Sequence, residues 1–250
     1  ELEKLSSGKR ITKSADDAAG LAIATNLEAQ TKGLRQASRN TNDGISLTQV
    51  AEGGLSEVGN ILIRLRELSI QASSDTVGDR ERGFINKEVT NLVDEADRIA
   101  KTTRFGGTNL LDGTGDTFDF QVGINNDDTL DRIKYDAGSW NATTDSLGIA
   151  GLDFSTRDGA QESLALIDEA QVTANGFRAG LGALQNRLQS TVDNLGVSYE
   201  NLAAANSRIR DTDLAMSAAE LTRNQILLNA SVGTMSQANQ MPQLALKLIG

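Results

Sequence analysis

The chain contains no cysteine and no histidine, one proline and one tryptophan, and aromatic residues make up only 4% of its 250 positions. Without His or Cys, neither a Ser-His-Asp nor a Cys-His arrangement can be built, and the common zinc sites lose their usual ligands. The missing thiols also exclude a disulfide framework, and they allow export without oxidative folding. So few aromatics argue against a conventional enzyme-like core and for long helices packed side by side. Clustered cationic charge is missing too. A net charge of −10 and a pI near 4.6 argue against nucleic acid or an anionic membrane surface as a partner, because both need grouped Lys and Arg. No run of about 18 apolar residues occurs, so no helix is expected to span a bilayer. The chain opens on ELEKLSSG, without Met and already in a helical pattern, so an upstream segment is expected, a processed leader among the options.

What is present is periodicity. Leu47, Ala51, Gly54, Val58, Ile61, Leu65, Leu68 and Ala72 recur at alternating steps of four and three, the seam of a coiled-coil-like helix. Upstream, Ala24, Leu27, Thr31 and Leu34 keep the spacing, and SADDAAG offers Ser14, Asp16 and Asp17 as caps and first-turn acids, so a helix start is expected near Ser14. SSDTVGD, at 73–79, breaks the pattern before Ile85, Val89, Leu92, Ala96 and Ile99 resume it, which predicts a helix, a loop and a returning helix.

RFGGTNLLDGTGD at 104–116 is rich in turn formers, and FDFQVG and RIKYDAG on either side of INNDD predict a small hairpin inside a strand-and-loop region. From Leu164 to Ile209 a second long heptad pattern runs through Leu181, Leu188, Leu195 and Leu202. A rod of that kind cannot bury its seam alone, so its partner is expected to be the helix around Leu47 to Ala72, lying side by side with it. The expected fold is mainly α, an elongated antiparallel bundle of long coiled-coil-like helices with a small β-hairpin region and a C-terminal helical tail. Its expected divisions are N-terminal rod helices at 1–110, the hairpin region at 111–160, a long C-terminal rod helix at 161–210 and the tail at 211–250.

The tail is chemically distinct. After Asp213 the only charged side chains are Glu220, Arg223 and Lys247, while Leu214, Ala218, Leu221, Leu228, Val232 and Met235 keep heptad spacing among Asn, Gln, Ser and Ala. A helix this apolar and uncharged wants neighbours on most sides, and alone it is expected to be disordered or captured by a partner.

Candidate chemistry is thin. INNDD and LDGTGD carry oxygens but lack the regular spacing and closing Glu of a calcium loop, so a plain turn is the reading and no metal or cofactor is expected. Paired acids such as Asp16 with Asp17, or Asp94, Glu95 and Asp97, fit solvated helix faces rather than acid and base catalysis. AGLGAL at 179–184 follows no strand, and close approach of helices explains its glycines better than a phosphate cradle.

LSSGKRITKSADDAAGLAIA, NDGISLTQVAEGGLSEV, IRLRELSIQAS, RFGGTNLLDG, LGALQNRLQSTVDNL and SRIRDTDLA followed by NQMPQLALKL resemble, in order and spacing, the terminal regions of bacterial flagellin. The resemblance covers roughly 5–123 and 164–248. The family's leading helical arm would lie upstream of Glu1, and the variable middle that other members expand is here the short stretch 114–160. The resemblance implies a secreted, extracellular building block of the flagellar filament that polymerises with copies of itself. The seam residues Leu47, Val58, Ile61, Leu65, Leu181, Leu188, Leu195 and Leu202 would hold the rod. It also implies a dedicated export chaperone gripping the tail through Leu214, Leu221, Leu228, Val232, Met235 and Leu244. Through the family, Arg64, Leu68 and Glu88 match positions recognised by the innate receptor Toll-like receptor 5. The same charges can equally solvate the rod or make filament contacts, and Leu92 stands where receptor-active relatives often carry a basic residue, which lowers the expected affinity. Two other functions compete: a hook–filament junction protein, which resembles flagellin at both ends, and an enzyme on a helical scaffold, for which no constellation of residues exists.

Overall fold

The computed structural model describes the backbone of residues 2–249 and the side chains of residues 2–238. Five helices dominate it: α1 (Leu2–Ser7), α2 (Ala18–Ala72), α3 (Asp79–Thr102), α4 (Arg157–Arg210) and α5 (Leu214–Ile249). Four short strands lie between α3 and α4, namely β1 (Arg104–Phe105), β2 (Thr108–Asn109), β3 (Thr117–Gln121) and β4 (Arg132–Asp136). They form two antiparallel ribbons, β1 with β2 and β3 with β4. The chain is thus mainly α, with long helices packed against one another. It divides into two compact units, one of residues 33–198 and one formed from both ends, 1–32 with 199–250.

In the 33–198 unit the seam positions go inside because only one face of each helix is apolar. Val58, Leu65 and Leu68 of α2 join Ile85 and Val89 of α3 and Ile167 and Ala174 of α4 in one buried cluster. Leu47, Ala51 and Leu55 join Leu181 and Leu188 of α4 in a second. Rising numbers on α2 meet falling numbers on α4, so the two helices run antiparallel, as the heptads require. Each fully buried Leu contributes about 1.5–3 kcal/mol relative to leaving it in water. Surface ion pairs such as Arg66 with Asp168 at 2.7 Å and Arg157 with Asp75 at 3.0 Å add little beside this, because water screens them.

The break between α2 and α3 is built around Arg82. Its buried guanidinium donates to the carbonyls of Ala72 and Ser74, both at 2.9 Å, and to Asp79 at 2.8 Å. The last carbonyls of α2 lack partners within the helix, and this side chain supplies them. At the other end of α3, β1 turns into β2 through Gly106 and Gly107, whose φ angles of 58° and 92° belong to the left-handed region that side chains disfavour.

The hairpin seats on α2 through glycines. A Cβ on Gly33 would lie 3.0 Å from Ile124 and one on Gly44 3.2 Å from the Phe120 ring, while one on Gly54 would meet the segment before the hairpin, Thr103 at 2.6 Å and Leu111 at 2.9 Å. These glycines are about three helical turns apart, so they lie along one face of α2. On α4 the glycines of AGLGAL have a different explanation from the expected one. Gly182 faces open space, while Gly180 leaves room for the ring of Trp140, so a side chain of the strand region, not a helix, makes the close approach. Trp140 stacks on Tyr135 at 6.1 Å and meets Phe177 edge-on at 5.7 Å. Tyr135 is buried, its hydroxyl donates to the Leu110 carbonyl at 3.0 Å, and burial pushes its phenol well above the usual range.

In the unit formed from both ends, α2 starts at Ala18 rather than near Ser14. Asp17 caps it by accepting from the Gly20 amide at 2.9 Å, while Asp16 accepts from the Thr12 and Lys13 amides of the preceding loop and cannot serve the helix. The chain's two ends are clasped where the Arg10 amide donates to the Arg210 carbonyl at 2.7 Å and the Thr212 amide to the Gly8 carbonyl at 3.1 Å. Arg210 reaches Glu28 at 2.5 Å. α5 begins on Asp213, which accepts from the amides of Ala215 and Met216 at 2.9 and 3.1 Å. The tail is a helix, as the expected fold has it: helix formers such as Ala, Leu, Met and Gln close their backbone hydrogen bonds locally.

Gly180→Ala places a methyl on the Trp140 ring. Replacement is expected to lower stability by about 1–3 kcal/mol, as overpacking does, in chemical denaturation. Trp140 is the single tryptophan, so its emission should shift with the loss of packing.

Candidate functional site

Three sets of residues carry the expected functions. Of the rod seam, Leu47, Val58, Leu65, Leu181 and Leu188 are fully buried in the 33–198 unit, and Ile61 and Leu195 are nearly so. Leu202 belongs to the unit formed from both ends and is half-buried. Val58, Ile61 and Leu65 thus share one buried cluster and Leu47, Leu181 and Leu188 the other, while Leu195 and Leu202 belong to neither.

The second set lies on α2 and α3. Arg64 donates to Glu88 twice, from Nε at 3.0 Å and from Nη2 at 2.8 Å, and from Nη1 to Glu67 at 3.0 Å. The Glu88 carboxylate first, then Glu67, holds the guanidinium's proton more tightly than usual. All three side chains face water, which leaves them accessible to a partner. Leu68 is placed differently: at 2% exposure it lies in the buried cluster under this face, so it fixes the helix and offers no side chain to a partner docking there. Leu92 packs half-buried against the same cluster. Glu67 was not among the expected residues, although its i,i+3 spacing from Arg64 is the signal that could have found it.

The third set is α5. Leu214, Leu228, Val232 and Met235 are between 56% and 69% exposed, and Leu221 is half-buried. Leu244 lies outside the residues whose side chains are described. These side chains share a helix that is nearly free of charge, so no ion pair solvates the face. α1 packs against α5. Ser217 is the buried polar residue of its first turns and lies 2.9 Å from the Thr212 hydroxyl.

Among the described residues there is no group of three or more acidic, His or Cys side chains arranged to hold a metal ion. No helix among them is long and apolar enough to cross a membrane.

The family profile of the bacterial flagellin N-terminal helical region matches residues 1–116, and that of the bacterial flagellin C-terminal helical region matches residues 164–249. The chain belongs to the bacterial flagellins. A flagellin of Halalkalibacterium halodurans is 46% identical over 250 residues, covering 99% of this chain and 90% of its own. The flagellar filament 30.7 kDa core protein of Treponema maltophilum is 40% identical over 263 residues, with 99% and 90% covered. Among solved structures, Bacillus cereus flagellin is 32% identical with a TM-score of 0.56, covering 67% of this chain and 94% of that one. Flagellins are a structural family, and the α2–α4 seam, the Arg64 network and the bare α5 face are the features of this member that chemistry singles out.

Arg64→Ala removes an exposed network that links α2 to α3. Because such pairs are screened, it is expected to leave the urea denaturation midpoint almost unmoved, with the helical circular dichroism unchanged.

Proposed function

We propose that the chain is a structural subunit of the flagellar filament, secreted and polymerising with copies of itself outside the cell, and not an enzyme. The observation that carries this reading is the uncovered apolar face of α5, held on a helix with almost no charge. A contiguous apolar face left in water is unfavourable in a monomer and becomes favourable when neighbours cover it. In an assembly of identical chains those neighbours are copies, and the relative named as a filament core protein agrees with this reading. Residues 1–110 and 161–210 act as the rod, 111–160 as its hairpin insert, and 211–250 as the inner segment on which polymerisation depends. The seam that Leu47, Val58 and Leu65 of α2 form with Leu181 and Leu188 of α4 keeps the rod stiff. The hook–filament junction has no observation that sets it above the filament subunit.

Before assembly, the same face suits capture by a helical export chaperone, with Leu214, Leu221, Leu228, Val232, Met235 and Leu244 as anchors in an apolar groove. The double variant Leu228→Asp with Val232→Asp separates these roles from folding, since both side chains are exposed in the monomer. Full-length protein is expected to form filaments with salt and seeds under the electron microscope, and the double variant is expected to form none while keeping its circular dichroism. In calorimetry the variant should bind the purified chaperone at least about tenfold more weakly. Filaments and chaperone affinity equal to the parent's would rule out α5 as the surface.

The exposed Arg64 and Glu88 also suit recognition by Toll-like receptor 5, with Leu68 setting the helix that presents them. A guanidinium donating in a fork is a strong anchor for a partner carboxylate or carbonyl. Binding of the monomer to the receptor ectodomain is expected to weaken by at least about 1 kcal/mol in Arg64→Ala, as hot-spot residues do. Equal binding by parent and variant would leave this face to the filament alone.

A further inference from the structure

Phe84 stands in water at 59% exposure on the second turn of α3, one position off the buried face that Ile85 and Val89 form. Its described ring contact is the Lys87 ammonium, 6.0 Å from the ring centre. An aromatic ring exposed to this extent has a large apolar area to lose to a partner. In the same unit a groove of about 540 Å³ opens between the β3–β4 hairpin and α4. The hairpin lines it with the apolar Val122, Ile133 and Leu130, the last 80% exposed, and α4 adds Leu195 beside the polar Ser190, Thr191 and Asn194. Arg187 stands on its rim, and its guanidinium has no hydrogen bond or ion pair among the described residues.

We propose that Phe84 of one copy seats in this groove of a second copy. The inference rests on the filament reading and names one of the contacts through which copies meet. Charge supports this occupant. Glu81, one turn before Phe84 on α3, has a carboxylate with no cationic partner among the described residues, and Arg187 offers the matching unpaired cation. When the ring enters the groove, Glu81 is carried toward Arg187, and each charge finds the partner it lacks among the described residues of its own chain.

Phe84 cannot fill its own groove. It lies one turn from Glu88, which pairs with Arg64 on α2, whereas the hairpin meets α2 at Gly44 and Gly33. Between Arg64 and those glycines run 20 and 31 residues of helix, about 30–45 Å at 1.5 Å per residue. Two different patches at the two ends of one unit make a heterologous contact, which adds copies head to tail and does not close into a pair. That is the connectivity a filament needs.

The chain's lack of cysteine makes the test clean. Full-length Phe84→Cys and Leu130→Cys proteins, both altered at exposed positions, are mixed in equal amounts, assembled and oxidised with diamide. The expected product is a disulfide-linked dimer joining the two variants in the assembled fraction and absent from monomers, since the sulfurs bond only when the Cβ atoms come within about 4.5 Å. Glu81→Arg and Arg187→Glu should each raise the critical concentration for assembly about tenfold, and the two together should restore it to within about twofold. Filaments of the parent protein with neither the mixed dimer nor the rescue would overturn this contact and leave the filament reading intact. Failure of the parent protein to assemble at all would overturn both.

Discussion

The constraint on which the structure depends is that α2 and α4 each carry a single apolar stripe and neither can bury it alone. Pairing them antiparallel solves this with residues far apart in sequence, Leu47 near Leu188 at one end of the seam and Leu68 near Ile167 at the other. Everything else in the 33–198 unit is arranged on that pair. α3 closes the first cluster, Arg82 ties off the carbonyls at the end of α2, and glycines let the hairpin approach α2 and Trp140 approach α4. The surfaces we propose as functional are what this pairing leaves over: the charged face of α2, the hairpin groove and, in the unit formed from both ends, α5.

Much of this was legible because heptad spacing is a geometric statement about one face of a helix. The alternation of four and three steps picked out buried positions such as Leu47, Val58, Leu65, Leu181 and Leu188, but passed over Leu55 and Leu62, which are equally buried. The β3–β4 hairpin was equally legible, since alternation on both sides of INNDD has period two. What could not be read was local competition for hydrogen bonds. Ser14, Asp16 and Asp17 are all plausible caps in a string, and the geometry of the loop decides that Asp16 serves the amides of Thr12 and Lys13 while Asp17 caps the helix. Nor does a glycine announce what fills the space beside it. Gly180 admits Trp140, which lies 40 residues earlier and belongs to no periodic pattern.

The candidate surfaces divide in the same way. Leu68 was readable as a seam residue and is one, and its burial leaves Arg64 and Glu88 as the accessible members of that set. The apolar, nearly chargeless character of α5 and its helical spacing were both visible in the sequence, but periodicity does not say whether a helix forms before its partner arrives. A helix closed by its own backbone and bare of cover is a subunit prepared for neighbours at the cost of some stability when alone.

The account therefore turns on two helical regions of opposite character in one monomer: a seam stabilised by burial, and an α5 stabilised by little beyond its own backbone. Amide hydrogen exchange on the monomer and on the assembled protein tests this directly. The account predicts that seam amides around Leu55 to Leu68 and Ile167 to Leu188 open only with global unfolding in both states, while α5 amides exchange orders of magnitude faster in the monomer and become protected on assembly. Protection of α5 in the monomer equal to that of the seam, or no gain on assembly, would contradict it.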